Sequence, residues 1–88
     1  MLPLNYAILD HMTRVVDADV AEVMDALRAD YGSFRAFTGA AVLEALLTAE
    51  VNGLLEESRC ALDGQGRAQL FFRATPQGRA AISRNIRA

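Results

Sequence analysis

Residues 54–74 restrict the fold of this chain more than any other stretch, because two extended apolar runs flank Asp63-Gly64-Gln65-Gly66. Asp-Gly between extended runs is a strong local signal for a β-hairpin. The second run alternates as a half-buried strand does. Its apolar face carries Ala68, Leu70, Phe72 and Ala74. The sequence therefore predicts strands over 54–62 and 67–74, joined by a tight turn.

Helical periodicity precedes the hairpin. Apolar residues at three- and four-residue spacing predict a first helix from an N-cap at Asn5 to about Arg14. A second helix is expected to start after a cap at Asp17 or Asp19, where acidic residues suit the positive end of the helix dipole. Gly32 is expected to end this helix in a left-handed conformation.

A third helix is predicted from an N-cap at Thr38 to about Asn52, with Gly53 closing it. Its buried stripe is expected to contain Val42 or Leu43, Leu46, Leu47 and Val51. After the hairpin, Thr75 is a natural N-cap and Pro76 suits the first helical position. These residues predict a last helix over about 77–87.

The order helix, helix, helix, two-stranded wing, helix is that of the winged helix-turn-helix. The segment NGLLEES…DGQGRAQLFFRATPQGRAAI, from Asn52 onward, resembles the end of the wing module in PadR-like and MarR-like regulators. In those families Gly-Leu-Leu/Ile-Glu closes the third helix, and Thr-Pro-x-Gly-Arg follows the second strand. The resemblance implies an α+β, mostly helical winged helix-turn-helix, with residues 1–88 as a single domain. A core shared by the third helix and the wing is expected, formed by Leu46, Leu47, Leu54, Leu70 and Phe72.

Charge is distributed unevenly along the chain. Residues 1–57 hold three Arg against ten Asp and Glu, a net of −7, whereas residues 58–88 hold six Arg against Asp63, a net of +5. Such asymmetry can mark an end that binds a polyanion. Alternatively, the two halves neutralise each other within one compact domain or dimer.

Winged-helix regulators usually place the third helix in the major groove, where cationic and amide side chains contact base edges. In this chain the third helix contains no Arg or Lys, and Glu44 and Glu50 would approach phosphates. Thr48 and Asn52 remain as candidates for DNA contact on this helix. Ordinary base readout by the third helix is therefore not expected.

The wing supplies the cations that the third helix lacks. The candidates for DNA contact on its outer face are Arg59, Arg67, Gln69 and Arg73, with Phe71 beside them. A solvated outer strand face is the alternative interpretation of the same residues. We therefore consider two functions. One is a regulator-like protein that binds double-stranded DNA mainly through the wing, and the other is a protein-interaction module that docks through Glu44 and Glu50 without binding DNA.

A homodimer is expected because apolar residues near the two termini have no evident partner within so small a core. The first and last helices would pair across a two-fold axis through Leu2, Leu4, Ile82 or Ile86.

Catalytic chemistry is not indicated. His11 is the only histidine, and Cys60, the only cysteine, is expected to be a small buried residue. The sequence therefore predicts a protein that is not an enzyme and needs no metal or cofactor. The start of the chain lacks a basic signal-peptide region, and its apolar runs are shorter than the roughly 18 residues of a membrane span. A cytoplasmic protein without membrane association is expected.

Overall fold

The computed structural model of the protein describes residues 1–86. Four helices and a two-stranded antiparallel sheet follow in the predicted order, which confirms the α+β winged-helix arrangement. The helices are α1 (Leu4–Met12), α2 (Val20–Tyr31), α3 (Gly39–Val51) and α4 (Pro76–Asn85), and the strands are β1 (Leu55–Leu62) and β2 (Ala68–Ala74). The predicted end of the last helix at residue 87 lies outside the described residues.

Three of the four helices begin at predicted caps. Asp19 opens α2 with a capping box: its carboxylate accepts from the backbone N–H of Glu22, and the Glu22 carboxylate accepts from the backbone N–H of Asp19. The hydroxyls of Thr38 and Thr75 cap α3 and α4 in the same general way. The prediction for α1 was wrong, because α1 starts at Leu4 after Pro3, and no side chain caps it.

The two glycines expected to end helices behave differently. Gly53 closes α3 with a φ of 78°, a left-handed conformation that favours glycine. Gly32 was expected to do the same after α2, but its φ is −59°. The chain leaves α2 through further right-handed turns, in which the backbone N–H of Phe34 bonds to the carbonyl of Tyr31 and that of Phe37 to the carbonyl of Phe34.

The wing is a regular hairpin with one irregularity. Its register runs from Leu55 opposite Ala74 to Leu62 opposite Ala68, and it shifts at a β-bulge between Glu57 and Arg59. Ala18, in the link between α1 and α2, pairs with Phe72 through two backbone hydrogen bonds of 2.9 Å. The link thus adds a short third segment to the sheet.

The core lies between α1, α2, α3 and the base of the wing. The largest fully buried side chains are Phe72, Ile8, Met12, Leu46, Leu55, Ile82, Val23 and Val42, and all of them except Ile82 of α4 belong to this core. Leu46 and Phe72 therefore occupy the shared core as predicted, whereas Leu54 and Leu70 are only partly buried against it. Leu47 was placed in the core wrongly, since 38% of it is exposed.

The predicted stripe of α3 was wrong in its C-terminal half. Val42, Leu46 and Ala49 face the core, while Val51 is 85% exposed. The error has a physical cause: nine of the thirteen residues of α3 are Ala, Val or Leu, so two sides of the helix are apolar and periodicity alone does not choose between them.

The residues proposed for dimer contacts are not all available. Ile82 is 2% exposed and belongs to the interior of the chain itself, so it was wrong as an interface residue. Leu4 is partly buried against the core. The open apolar surface in this region is instead a recess between α1 and α4, lined by Tyr6, Leu9, Leu54, Ala81, Ile82, Asn85 and Ile86.

Candidate nucleic-acid interface

The three wing arginines predicted to contact DNA are each engaged by a carboxylate of the same chain. Arg59 pairs with Asp17 at 3.0 Å, Arg67 with Asp63 at 3.1 Å, and Arg73 with Glu56 at 2.6 Å. The positive charge that the sequence places in its second half is thus locally compensated. This arrangement matches the neutralisation alternative more closely than a continuous basic surface.

Arg59 belongs to a cluster that ties the wing to the link before α2. One oxygen of the Asp17 carboxylate accepts hydrogen bonds from Arg59 Nε at 3.0 Å and from the Ser58 hydroxyl at 2.9 Å. These two hydrogen bonds hold the pKa of Asp17 below its ordinary value, and the bond from Arg59 has the larger effect. The guanidinium of Arg59 also lies over the Phe71 ring, 3.8 Å from its centroid.

Phe71 was expected on an open outer face, but it is only 6% exposed. The guanidinium of Arg59, which lies over the ring, covers one of its faces. Gln69 is likewise drawn inward, because its amide donates to the Asp19 carboxylate at 3.1 Å. Arg59 and Gln69 therefore stabilise the junction between the wing and α2, although the Arg59 side chain is still 55% exposed.

Arg67 and Arg73 remain accessible despite their ion pairs. Their side chains are 73% and 52% exposed. Exposed ion pairs contribute little to stability, because water and salt screen them. A phosphate can therefore take the place of the carboxylate beside either guanidinium at small cost.

The tip of the wing is ordered by Asp63. Its carboxylate accepts hydrogen bonds from the backbone N–H groups of Arg67 and Gln65. Both bonds lower the pKa of Asp63, and the bond from Arg67 has the larger effect. Gly66 completes the turn with a φ of 79°. Arg67 consequently projects from a fixed turn.

The outer side of α3 carries the remaining candidates. Thr48 and Asn52 are both exposed, and Asn52 forms the C-terminal cap of the helix. Glu44 is also exposed, Glu50 is half-buried, and neither makes an ion pair with a residue in the range 1–86. The side of α3 that would enter a groove thus combines apolar and acidic groups without a cation.

Arg35 was not singled out from the sequence as a candidate, yet it is the most available guanidinium near α3. It is exposed in the connection between α2 and α3, three residues before Thr38, and it has no ion-pair partner among the described residues. The sequence signal was its isolation: no other cation lies between Arg28 and Arg59. An arginine beside a helix start is suited to a phosphate contact.

The described part of the chain gives little support for a metal site or a membrane-spanning helix. Residues 1–86 contain no group of three His, Cys, Asp or Glu side chains able to hold a metal ion. Cys60 is exposed, which contradicts the expectation of a buried residue. Partial burial lowers the pKa of His11, an effect that Asp10 partly opposes. In the same range, no helix is long and apolar enough to cross a membrane.

Three solved structures have a similar fold, and two of them are named as transcriptional regulators. PadR of Bacillus subtilis, crystallised with operator DNA, is 17% identical over 92% of this chain, with a TM-score of 0.75. A PadR-like transcriptional regulator from Bacillus cereus is 16% identical over 92% of this chain and 75% of its own, with a TM-score of 0.70. A transcriptional regulator from Clostridium thermocellum is 15% identical over 96% of this chain and 79% of its own, with a TM-score of 0.74.

The chain spans 45% of the length of the Bacillus subtilis PadR chain. No protein-family model matches the sequence, and no curated protein matches it. At these identities the similarity concerns the fold. The order of elements, the wing and the helix that follows it all correspond, so the chain has the winged helix-turn-helix fold found in PadR-family transcriptional regulators.

Proposed function

We propose that this protein is a DNA-binding regulator of transcription that contacts duplex DNA mainly through its wing. The observation that carries the proposal is the exposed wing beside α3, in a fold that PadR of Bacillus subtilis uses in a complex with operator DNA. Fold similarity alone does not establish function. The proposal therefore depends on which side chains of this chain can meet phosphates.

Arg67, Arg73 and Arg35 are the side chains best suited to that role. The first two are more than half exposed on the wing, and the third is exposed beside the start of α3, with no ion pair to any residue in the range 1–86. Contacts from arginine to phosphate supply affinity and orientation, but they carry no direct sequence information. We therefore expect binding that depends strongly on salt.

Sequence discrimination is expected to be weak. The strongest base contacts in the major groove are made by Arg or Lys with guanine and by Asn or Gln with adenine. On α3 and its cap, Asn52 is the one such residue, and Thr48 can reach a thymine methyl group. Glu44 opposes the approach of the duplex through its charge.

The test is a titration of a labelled mixed-sequence duplex over a range of salt concentrations. Replacing both Arg67 and Arg73 with Ala should weaken binding to all sequences alike. It should also reduce the slope of log affinity against log salt by about 0.9 for each lost contact. Arg28→Ala is the matched control, since Arg28 is an exposed, ion-paired arginine on α2. Glu44→Gln should strengthen binding.

No binding at low salt with protein at tens of micromolar would refute the proposal, because even non-specific complexes have dissociation constants of about 10⁻⁴ to 10⁻⁶ M. An equal effect of Arg28→Ala and the wing double variant would refute the role of the wing alone.

Docking of another protein on α3, without DNA binding, is the second candidate function. It is favoured by one observation, the combination of apolar and acidic side chains on the outer side of that helix. In that case replacing Glu44 or Glu50 should weaken binding of the partner protein, and replacing Arg67 or Arg73 should leave that binding unchanged.

A homodimer remains a prediction. Its interface would use the recess between α1 and α4, in which Tyr6 is 51% exposed and Ile82 is buried. Light scattering at high micromolar protein, with Tyr6→Ser as the disrupting variant, tests it. A monomer at that concentration would contradict it.

A further inference from the structure

The outer side of α3 is an apolar surface that the fold leaves uncovered. Leu43 and Leu47 are 37% and 38% exposed, and Val51 is 85% exposed, although the opposite side of the helix is fully packed. Together with Ala40 these residues follow a spacing of three, four and four, so they form one continuous stripe. We call it the α3 stripe: Ala40, Leu43, Leu47 and Val51.

The apolar surface extends beyond the helix. A groove along α3 is lined by the four stripe residues with Glu44 and Thr48. Leu43 also lines a second recess, between the start of α2 and strand β2, where Val20, Met24 and Leu70 meet. The two depressions therefore share Leu43 in their linings. Contiguous exposed apolar surface on a small protein commonly marks an interaction site, unlike scattered single residues.

Acidic groups border the α3 stripe. At about 100° per residue, Glu44 and Glu50 fall on opposite sides of its mean direction. Neither carboxylate pairs with a cation in residues 1–86, and α3 itself contains no Arg or Lys. The α3 stripe is thus flanked by Glu44, which lines the groove, on one side and by the half-buried Glu50 on the other.

We propose that the α3 stripe binds an amphipathic α-helix of a partner protein, whose apolar residues recur at three- and four-residue spacing between flanking Lys or Arg residues. Helices commonly bind in this way, with apolar side chains in a groove and charged ones at its border. Glu44 and Glu50 select for cations on the partner and against acidic helices. This inference develops the second candidate function and does not depend on DNA binding.

Charge argues against two other occupants of the groove. Across a two-fold axis, a second copy of α3 would bring Glu44 and Glu50 close to the same carboxylates of the partner copy, where like charges repel. Duplex DNA would bring phosphates toward the same two carboxylates. A basic helix satisfies the apolar floor and both acidic borders together.

The test uses the whole protein and a fluorescein-labelled helical peptide of Leu and Lys, with Leu at three- and four-residue spacing. Two control peptides have Glu in place of Lys, or the same composition in scrambled order. Leu47→Ser should weaken binding of the Leu/Lys peptide about tenfold, as expected for the loss of one buried leucine contact. Leu62→Ser is the matched control, since Leu62 is 72% exposed at the far end of β1.

The double variant Glu44→Gln/Glu50→Gln isolates the charge requirement and leaves the apolar floor intact. It should weaken binding several-fold at low salt and flatten the salt dependence. It also serves if Leu47→Ser unfolds the protein, because Glu44 and Glu50 make no ion pair with residues 1–86 that the double variant would remove.

Three results would overturn the inference. The first is equal binding of the Lys and Glu peptides, or unchanged binding by both variants. The second is a concentration-dependent dimer of the protein alone that Leu47→Ser abolishes, because a second copy would then cover the stripe. The third is weakened duplex binding by Leu47→Ser with unchanged peptide binding, because the stripe would then contact DNA. The peptide titration contains no DNA, so failure of the proposed DNA binding leaves its result interpretable.

Discussion

Gly78 provides the sharpest test of how α4 packs on the rest of the fold. It is the third residue of α4, in the Thr-Pro-x-Gly segment, and it is buried. A Cβ added there would lie 1.9 Å from the carbonyl oxygen of Leu54 and 2.7 Å from its carbonyl carbon. Ordinary contacts of a Cβ begin at 3.4 Å, so α4 would have to move by about 1.5 Å, the difference between 3.4 and 1.9 Å.

Hydrogen bonds between the start of α4 and the backbone of residues 53 and 54 oppose this movement. Thr75 holds the start of α4 on the same backbone, with its N–H bonded to the Leu54 carbonyl at 3.1 Å and its hydroxyl bonded to the Gly53 carbonyl at 2.7 Å. Overpacking typically costs about 1–3 kcal/mol, and each disturbed hydrogen bond adds about 0.5–1.5 kcal/mol. The higher helix propensity of Ala offsets up to about 1 kcal/mol of this loss in stability. We therefore expect Gly78→Ala to lower the free energy of unfolding by about 2–4 kcal/mol.

Gly39→Ala is the matched control, because it adds the same methyl group at the start of another helix. There the new Cβ would meet Met24 Sδ at 3.8 Å and Val20 Cγ1 at 3.9 Å, which are ordinary contacts. Urea unfolding and thermal unfolding, both followed by circular dichroism, measure the two variants. At about 4–8 °C per kcal/mol for a domain of this size, Gly78→Ala should melt roughly 8–32 °C lower. Equal melting temperatures for the two variants would refute the described packing of α4 on Leu54.

The remaining predictions concern the core and the junction of the wing. Leu46→Ala should lower the free energy of unfolding by about 2–5 kcal/mol because Leu46 is fully buried. Leu47→Ala should lower it by about 1 kcal/mol or less, because Leu47 is 38% exposed. Equal losses for the two variants in urea unfolding would contradict the orientation of α3. Because Arg59 lowers the pKa of Asp17 in the folded state, this carboxylate stabilises the fold above its unfolded-state pKa of about 3.9, and the stabilisation is lost as the pH falls through the folded-state value. The stability difference between the protein and Asp17→Asn should therefore be largest near neutral pH and shrink on acidification. Asp25→Asn, which removes a carboxylate that is 73% exposed, is its control. A difference that does not change with pH would show that the Asp17 charge is not involved.

The sequence by itself determined the order of the elements and most of their ends. These features depend on local chemistry: Asp19, Thr38 and Thr75 cap helices through their own side chains, and Gly53 adopts a conformation that few other residues tolerate. The hairpin is equally local, since Asp63 closes its turn through nearby backbone groups. Such signals act within a few residues and can be recognised without knowledge of the fold.

Only the tertiary structure decided which side of each element is used. The apolar residues of α3 cover two sides, and packing against α1 and α2 buried Leu46 while leaving Leu47 and Val51 at the surface. The arginines of the wing looked like free cations in the sequence, but Asp17, 42 residues before Arg59, lies within 3.0 Å of it when folded. Pairing between residues far apart in the chain depends on how the elements meet, and local patterns do not encode that geometry. For this reason the candidate DNA-binding set changed more than the fold did, and the α3 stripe became visible only after folding.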